Sequence, residues 1–162
     1  LFIFEIILLI SCKFILDNML KLNFPVFEFK LKNIDSKTFI FDFIRNNYYL
    51  LTPEEWVRQH VLHFLISKKI SKSHIAVERQ LKVNNLIKRF DIVVFDRNGE
   101  PLILIECKSP SVKIDQSVFD QISIYNLKIK SKYLMISNGL DHLYFKIDQV
   151  NKTHIFVKDF PL

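Results

Sequence analysis

Apolar and polar positions alternate along several stretches of this chain and recur at helical spacing along two others. Residues 26–32 (VFEFKLK) alternate with a period of two, the mark of a half-buried strand, and residues 38–43 are a second strand candidate. Thr52-Pro53-Glu54-Glu55 reads as a helix start, with Thr52 as N-cap, Pro53 in the first turn and an acid three residues past the cap. That helix is expected to run to about Lys69, with Val57, Val61, Phe64 and Leu65 on its apolar face. Residues 73–83 and 88–96 read as strands, and Arg97-Asn98-Gly99-Glu100 carries the Asn-Gly signature of a tight hairpin turn. The return strand, residues 101–108 (PLILIECK), is nearly all apolar and so is expected to be central and covered on both faces. Residues 115–130 predict a second helix with Val118, Ile122, Tyr125 and Ile129 on one stripe, and residues 133–137, 143–147 and 153–157 three more strands. No repeat or Gly/Ser/Pro linker divides the chain, so residues 19–162 are expected to form a single α/β domain, a mixed β-sheet flanked by helices.

Residues 1–18 (LFIFEIILLISCKFILDN) stand apart as an apolar extension. The run is shorter than the roughly 20 apolar residues a membrane-spanning helix needs. Leu9-Ile10-Ser11-Cys12 looks like a lipid-attachment box, but a leading basic segment is missing and Glu5 interrupts the run. The reading preferred is upstream read-through ahead of a start at Met19, or a buried N-terminal element, in a cytoplasmic protein without a membrane partner; a tethered or exported protein is the alternative. Gly occurs only twice, at Gly99 and Gly139, which excludes the glycine-rich loops that cradle nucleotide phosphates. The two cysteines, Cys12 and Cys107, give no disulfide framework. Lys and Arg number 23 against 17 Asp and Glu, a net charge of +6, and such a surplus favours polyanionic partners, nucleic acid foremost.

The chemistry concentrates between Asp91 and Lys108. Side chains alternate along a strand, so Glu106 and Lys108 share one face and Cys107 takes the other. Charged residues ending an apolar central strand are costly unless they are paired or bind an ion. Asp91, on the partner strand of the hairpin, can converge on Glu106, and two carboxylates brought close repel unless a cation sits between them. Mg²⁺ suits such a pair, because it takes a few carboxylate oxygens and keeps several waters. Lys108 would then orient an attacking water or stabilise charge developing on a phosphoryl group. The plainer alternative makes Asp91 a turn residue and Glu106–Lys108 a solvated ion pair.

RFDIVVFDRNGEPLILIECKSP resembles the core of the PD-(D/E)xK nuclease superfamily, and within it the N-terminal nuclease domain of type I restriction enzyme R subunits. Residues 52–59 (TPEEWVRQ) look like that family's first core helix. Gln121-Ile122-Ser123-Ile124-Tyr125 matches its Gln-xxx-Tyr motif, and Ser137-Asn138-Gly139 resembles the Asn-Gly after the next strand. The resemblance covers about residues 50–148. It implies a restriction-endonuclease-like fold and a DNA-cleaving site that uses Mg²⁺, with Mn²⁺ as a substitute. Asp91 and Glu106 would ligate the ion together with the backbone carbonyl of Cys107, and Lys108 would act on the attacking water. Gln121 and Tyr125, one helical turn apart, would face substrate phosphate or Lys108. A glutamate from the first helix would assist; Glu54 and Glu55 both qualify, and Glu55 is favoured slightly. Phe90 stands in place of the eponymous proline. The translocating motor of an R subunit is not in this sequence, so cleavage would rely on other restriction-system subunits or on intrinsic DNA binding.

Other residue groups argue less. His60 and His63 lie three apart on one helix with no third ligand spaced to join them. Ser109 and Ser111 lack a His/Asp partnership. The aromatic surplus, Phe24, Phe27, Phe29, Phe39, Phe41 and Phe43 included, reads as core, and Tyr48 and Tyr49 as edge packing rather than a base-stacking pair. Lys68, Lys69, Lys72, Lys82, Lys88 and Arg89 form either a phosphate-facing patch or a solvated surface. Two functions compete: a Mg²⁺-dependent deoxyribonuclease domain of a restriction-modification or repair system, and a catalytically silent nuclease-fold protein that binds DNA or a partner.

Overall fold

A computed structural model of the chain describes residues 20–162 apart from residues 79, 84, 85 and 152, with residues 80–83 and 86–88 described through their backbone alone. The apolar extension of residues 1–18 thus lies outside the described residues. In chain order the elements are β1 (Leu31–Ile34), β2 (Lys37–Asp42), β3 (Asn47–Leu50), α1 (Pro53–Ser67), a 3₁₀ turn (Lys72–His74), β4 (Ile75–Val77), β5 (Gln80–Val83), β6 (Leu86–Arg89), β7 (Ile92–Phe95) and β8 (Pro101–Cys107), then α2 (Gln116–Ile129), β9 (Tyr133–Ser137), β10 (His142–Asp148) and β11 (Thr153–Val157). A six-stranded sheet runs β11-β10-β9-β8-β7-β4, with β8 and β9 parallel and its other pairs antiparallel. Strands β1-β2-β3 form a separate antiparallel sheet, and β5-β6 a two-stranded ladder. The class is α/β, a mixed sheet flanked by helices.

Strand β8 is central and covered on both faces, as its apolar run requires. Ile103, Ile105 and Cys107 pack into one core with Val57, Val61, Leu62 and Leu65 of α1, while Leu104 packs into the other with Val118 and Ile122 of α2. Helix α2 supplies the crossover that a parallel pair such as β8/β9 needs. Both helices begin where local capping predicts. Thr52 Oγ1 accepts from Glu55 N at 3.1 Å, and Asp115 Oδ1 accepts from Ser117 N at 3.0 Å. The capping motif at Thr52 is only half made, because the Glu55 carboxylate turns to arginines instead of the cap. Helix α1 is also not simply amphipathic: Glu55, Arg58, Gln59 and His60 are buried along with its apolar residues, and Leu62 is fully buried whereas Phe64 is only partly so.

Several expected strands differ. Residues 26–30 form no strand; their alternation instead lays Phe27 and Phe29 against the rings of His60, His63 and Trp56. Strand β3 was not foreseen, because its pairing with β2 is not written in its own four residues. The expected strand over 73–83 breaks at Glu78, whose φ is +47°, and the one over 88–96 breaks at Phe90-Asp91; β4 pairs with β7 and β5 with β6, so each run feeds two ladders. The hairpin at 97–100 is organised by Asp96, not by an Asn-Gly mirror turn. Asp96 Oδ1 accepts from Asn98 N and Glu100 N, both at 2.9 Å, and only Gly99 has positive φ. No helix among the described residues is long and apolar enough to cross a membrane.

Candidate active site

Strand parity assembles the site. Ile92 pairs with Ile105 and Val93 with Leu104, so the register continued by one residue sets Asp91 opposite Glu106. Glu106, two residues after Leu104, takes the α2 side, and Asp91, just ahead of β7, stands at the strand end where Arg58 of α1 also reaches it. Asp91 Oδ2 accepts from Cys107 N at 2.7 Å, which ties the first carboxylate to the backbone beside the second. Lys108 Nζ donates to Glu106 Oε1 at 2.7 Å, and Lys108 N bonds to Ser137 O of β9 at 2.9 Å. From α2, Gln121 Nε2 donates to Glu106 Oε1 at 3.3 Å and to Tyr125 Oη at 3.2 Å, while Gln121 Oε1 accepts from Lys108 at 3.3 Å. Gln121 and Tyr125 are four residues apart on one helix face, and Gln121 closes a ring with Glu106 and Lys108.

The electrostatics follow from this crowding. Glu106 is 6% exposed; burial and then the Asp91 charge push its carboxyl up to about 7. Burial pulls the Lys108 ammonium down, but the bond to Glu106 and the charges of Glu106 and Asp91 outweigh it and hold the group above its ordinary range. The arrangement thus favours the ammonium form of Lys108. The Cys107 thiol is buried on the opposite face and raised by burial, so only its backbone serves the site.

The two helix glutamates separate. Glu55, the one favoured from the sequence, is buried and accepts from Arg45, Arg58 and Gln59, so it is turned away from the carboxylate pair. Glu54 is the one whose charge reaches Glu106 and Lys108, with a side chain 47% exposed that accepts from Arg58 Nη2 at 2.9 Å. Of the pair, Glu54 faces the cluster.

Arg58 went unnoticed as a site residue. The same Nη2 that holds Glu54 donates to Asp91 Oδ1 at 2.9 Å, and its side chain is 4% exposed. Its place, four residues after Glu54 on a helix that is buried nearly all round, was the available signal. Beyond it, Arg45 binds Asp42 at 2.7 Å and pairs with Glu55 and Glu78, and Gln59 Nε2 donates to Asp42 at 2.8 Å. Of the basic residues singled out between 68 and 89, Arg89 bonds Glu78 at 3.2 Å. His60 and His63 pack among Phe27, Phe29 and Trp56. Ser109 and Ser111 bond each other at 3.0 Å.

The groups that could hold a hard divalent ion are the carboxylates of Asp91 and Glu106 and the Cys107 carbonyl, all oxygen. Glu106 takes its bonds from Lys108 and Gln121 on Oε1, whereas both Asp91 oxygens are engaged, by Arg58 and by Cys107 N. No cluster of three or more acidic, His or Cys side chains that could hold a metal is assembled among the described residues.

A solved chain described as a fragment of an HsdR subunit of a type I restriction enzyme from Vibrio vulnificus YJ016 is 18% identical to this one. The match has a TM-score of 0.48 and covers 68% of this chain and 24% of that one, so this chain spans about a quarter of its length. Among curated proteins none matches. Residues 53–161, two thirds of the sequence and all the residues of the cluster, match the family described as the N terminus of type I restriction enzyme R proteins, and the chain belongs to that family.

Proposed function

We propose that this chain is a metal-dependent deoxyribonuclease domain of the PD-(D/E)xK type, serving a restriction system in the cytoplasm with other subunits of that system as partners. The observation that carries the reading is the convergence of Asp91, Glu106, Lys108 and Gln121 at the end of β8, with a lysine held cationic beside a carboxylate pushed up to about 7. Asp91, Glu106 and the Cys107 carbonyl would hold Mg²⁺ or Mn²⁺. The ion when bound supplies Lewis acidity at a phosphoryl oxygen and a water of lowered pKa.

The protein's own groups do the rest. Lys108 donates toward the oxygen on which charge develops, and its contacts to Glu106 and Gln121 fix its direction. Gln121 holds Lys108 and Glu106 in one geometry, and Tyr125 braces Gln121. Glu54, half-exposed and paired with Arg58, would orient a water. The alternative, a silent nuclease fold that only binds DNA or a partner, draws on the engagement of both Asp91 oxygens, by Arg58 and by Cys107 N.

The test is cleavage of plasmid DNA with Mg²⁺ or Mn²⁺. Lys108→Ala and Glu106→Gln are expected to lower the rate by about 100-fold or more while leaving the circular dichroism spectrum unchanged. Equal cleavage by wild type and Lys108→Ala overturns the nuclease reading. Mn²⁺ titration by electron paramagnetic resonance separates the two functions, because the silent reading expects no ion held by Asp91 and Glu106.

A further inference from the structure

We propose that the outer face of the three-stranded sheet β1-β2-β3 is a stacking surface for single-stranded nucleic acid. The inference rests on the nuclease reading for its choice of polymer, but its geometry is independent of the cluster at β8.

Two faces of this sheet are distinct. Leu31 and Ile40 pair across β1 and β2 and point into the core shared with α1, and Asp42 is buried on that side. By parity, Lys32, Phe39 and Leu50 form one outward row and Phe41 and Tyr48 a second, joined by Lys30, whose carbonyl accepts from Phe41 N at 2.9 Å. Contacts place these side chains together. Lys32 Nζ lies 4.0 Å from the centre of the Tyr48 ring and Lys30 Nζ 5.8 Å from that of Phe41, and the two rings are 5.1 Å apart. Phe39, Phe41 and Tyr48 are half-buried, while Leu50 is 45% exposed and Ile34, paired with Lys37 on the same face, 44%. Lys37 continues the β2 row, and the nearby acids, Glu28 and Asp35, stand outside both rows, before β1 and in the turn after it.

Two neighbouring rings, tilted 57° to each other and flanked by ammonium groups, meet the two needs of a single strand: π faces for bases and cations for the phosphates between them. A lysine resting over a ring by cation–π attraction can swing outward to a phosphate as a base takes its place. A membrane surface would be served better by a broader set of protruding apolar side chains than Ile34 and Leu50. Tyr49, the neighbour of Tyr48, lies on the inner face under Arg45, whose guanidinium is 3.4 Å from its ring centre, and takes no part.

The experiment uses the whole chain, a short fluorescein-labelled oligo-dT and EDTA, so that no strand is cut, and reads fluorescence anisotropy. Tyr48→Leu and Phe41→Leu are each expected to weaken binding roughly fivefold to a hundredfold. Tyr48→Phe, which keeps the ring, is expected to retain wild-type affinity. Lys30→Gln with Lys32→Gln is expected to reduce the slope of log affinity against log salt by about 1.4, as for two phosphate contacts on a single strand. Should Phe41→Leu fail to fold, the comparison of Tyr48→Leu with Tyr48→Phe still decides. Unchanged affinity in the ring variants, or capture of phosphatidylserine vesicles without any binding of oligo-dT, overturns the proposal and leaves the cleavage assay untouched. Ring-dependent binding alongside wild-type cleavage by Lys108→Ala upholds the surface and removes the nuclease reading alone.

Discussion

Glu106 and His60 hold opposite pH dependences inside one fold. The Glu106 carboxyl is lifted from 4.5 to about 7, first by burial and then by Asp91, so the native state holds its proton more tightly than the unfolded chain. Its contribution is full below pH 4.5 and is lost as pH rises through about 7, on the order of 3 kcal/mol at 1.36 kcal/mol per unit. His60, 7% exposed among Trp56, Phe24 and Phe29, is lowered from 6.5 to about 4 by burial. Its contribution is full above pH 6.5 and is lost as pH falls through about 4, by a similar amount. The two slopes nearly cancel between pH 4.5 and 6.5. Glu106→Gln is therefore expected to make the protein lose stability toward acid across that window, by about 3 kcal/mol, and His60→Phe to make it gain stability there. Urea unfolding at pH 4.5, 5.5 and 6.5 measures both, and parallel curves for all three proteins would refute the assignment.

At the scale of elements, the turn after β9 is the tightest constraint. Gly139 has φ of +85°, and a Cβ there would stand 2.8 Å from Leu22 Cδ2 and 3.0 Å from Val57 Cγ2. Gly139→Ala thus meets both backbone strain and a clash with the core under α1, and is expected to cost about 2 kcal/mol or more in chemical unfolding. Gly99, also at positive φ but with open space around it, isolates the backbone part, so Gly99→Ala is expected to cost less. What was legible in the sequence was what is local. Thr52 and Asp115 cap their helices by bonds that reach two or three residues, and the convergence of Asp91 and Glu106 needs only a hairpin and strand parity. What was illegible is settled across the chain. The break at Glu78 is fixed by the bond from its N–H to Asp91 O, thirteen residues on, and β3 exists because β2 offers it an edge. Glu55 and Glu54 are equal in the sequence until Arg45 and Arg58 claim the first.

The whole molecule joins its two larger sheets through charge as well as through the apolar core. Arg45, just after β2, pairs with Asp42, Glu55 and Glu78; Glu55 pairs in turn with Arg58, and Arg58 with Asp91 at the edge of the cluster. Arg45 is 10% exposed, Arg58 4% and Glu55 6%, so neither water nor salt screens these pairs well. Removing the only partner of a buried charge costs about 3–5 kcal/mol, and a shared partner costs less. Arg45→Met takes a cation from Asp42, Glu55 and Glu78, of which Glu55 keeps Arg58 and Glu78 keeps Arg89, and Arg58→Met takes one from Asp91 and from Glu55, which keeps Arg45; each is expected to lose about 3 kcal/mol or less by urea unfolding. Because both arginines serve Glu55, the double variant is expected to depart from the sum by about 1 kcal/mol or more, whereas independent sites would add to within about 0.5 kcal/mol. Additivity would show two separate ion clusters. Coupling would mean that a change in the three-stranded sheet is felt at Asp91, which links the face proposed to hold a nucleic-acid strand to the carboxylates proposed to cut one.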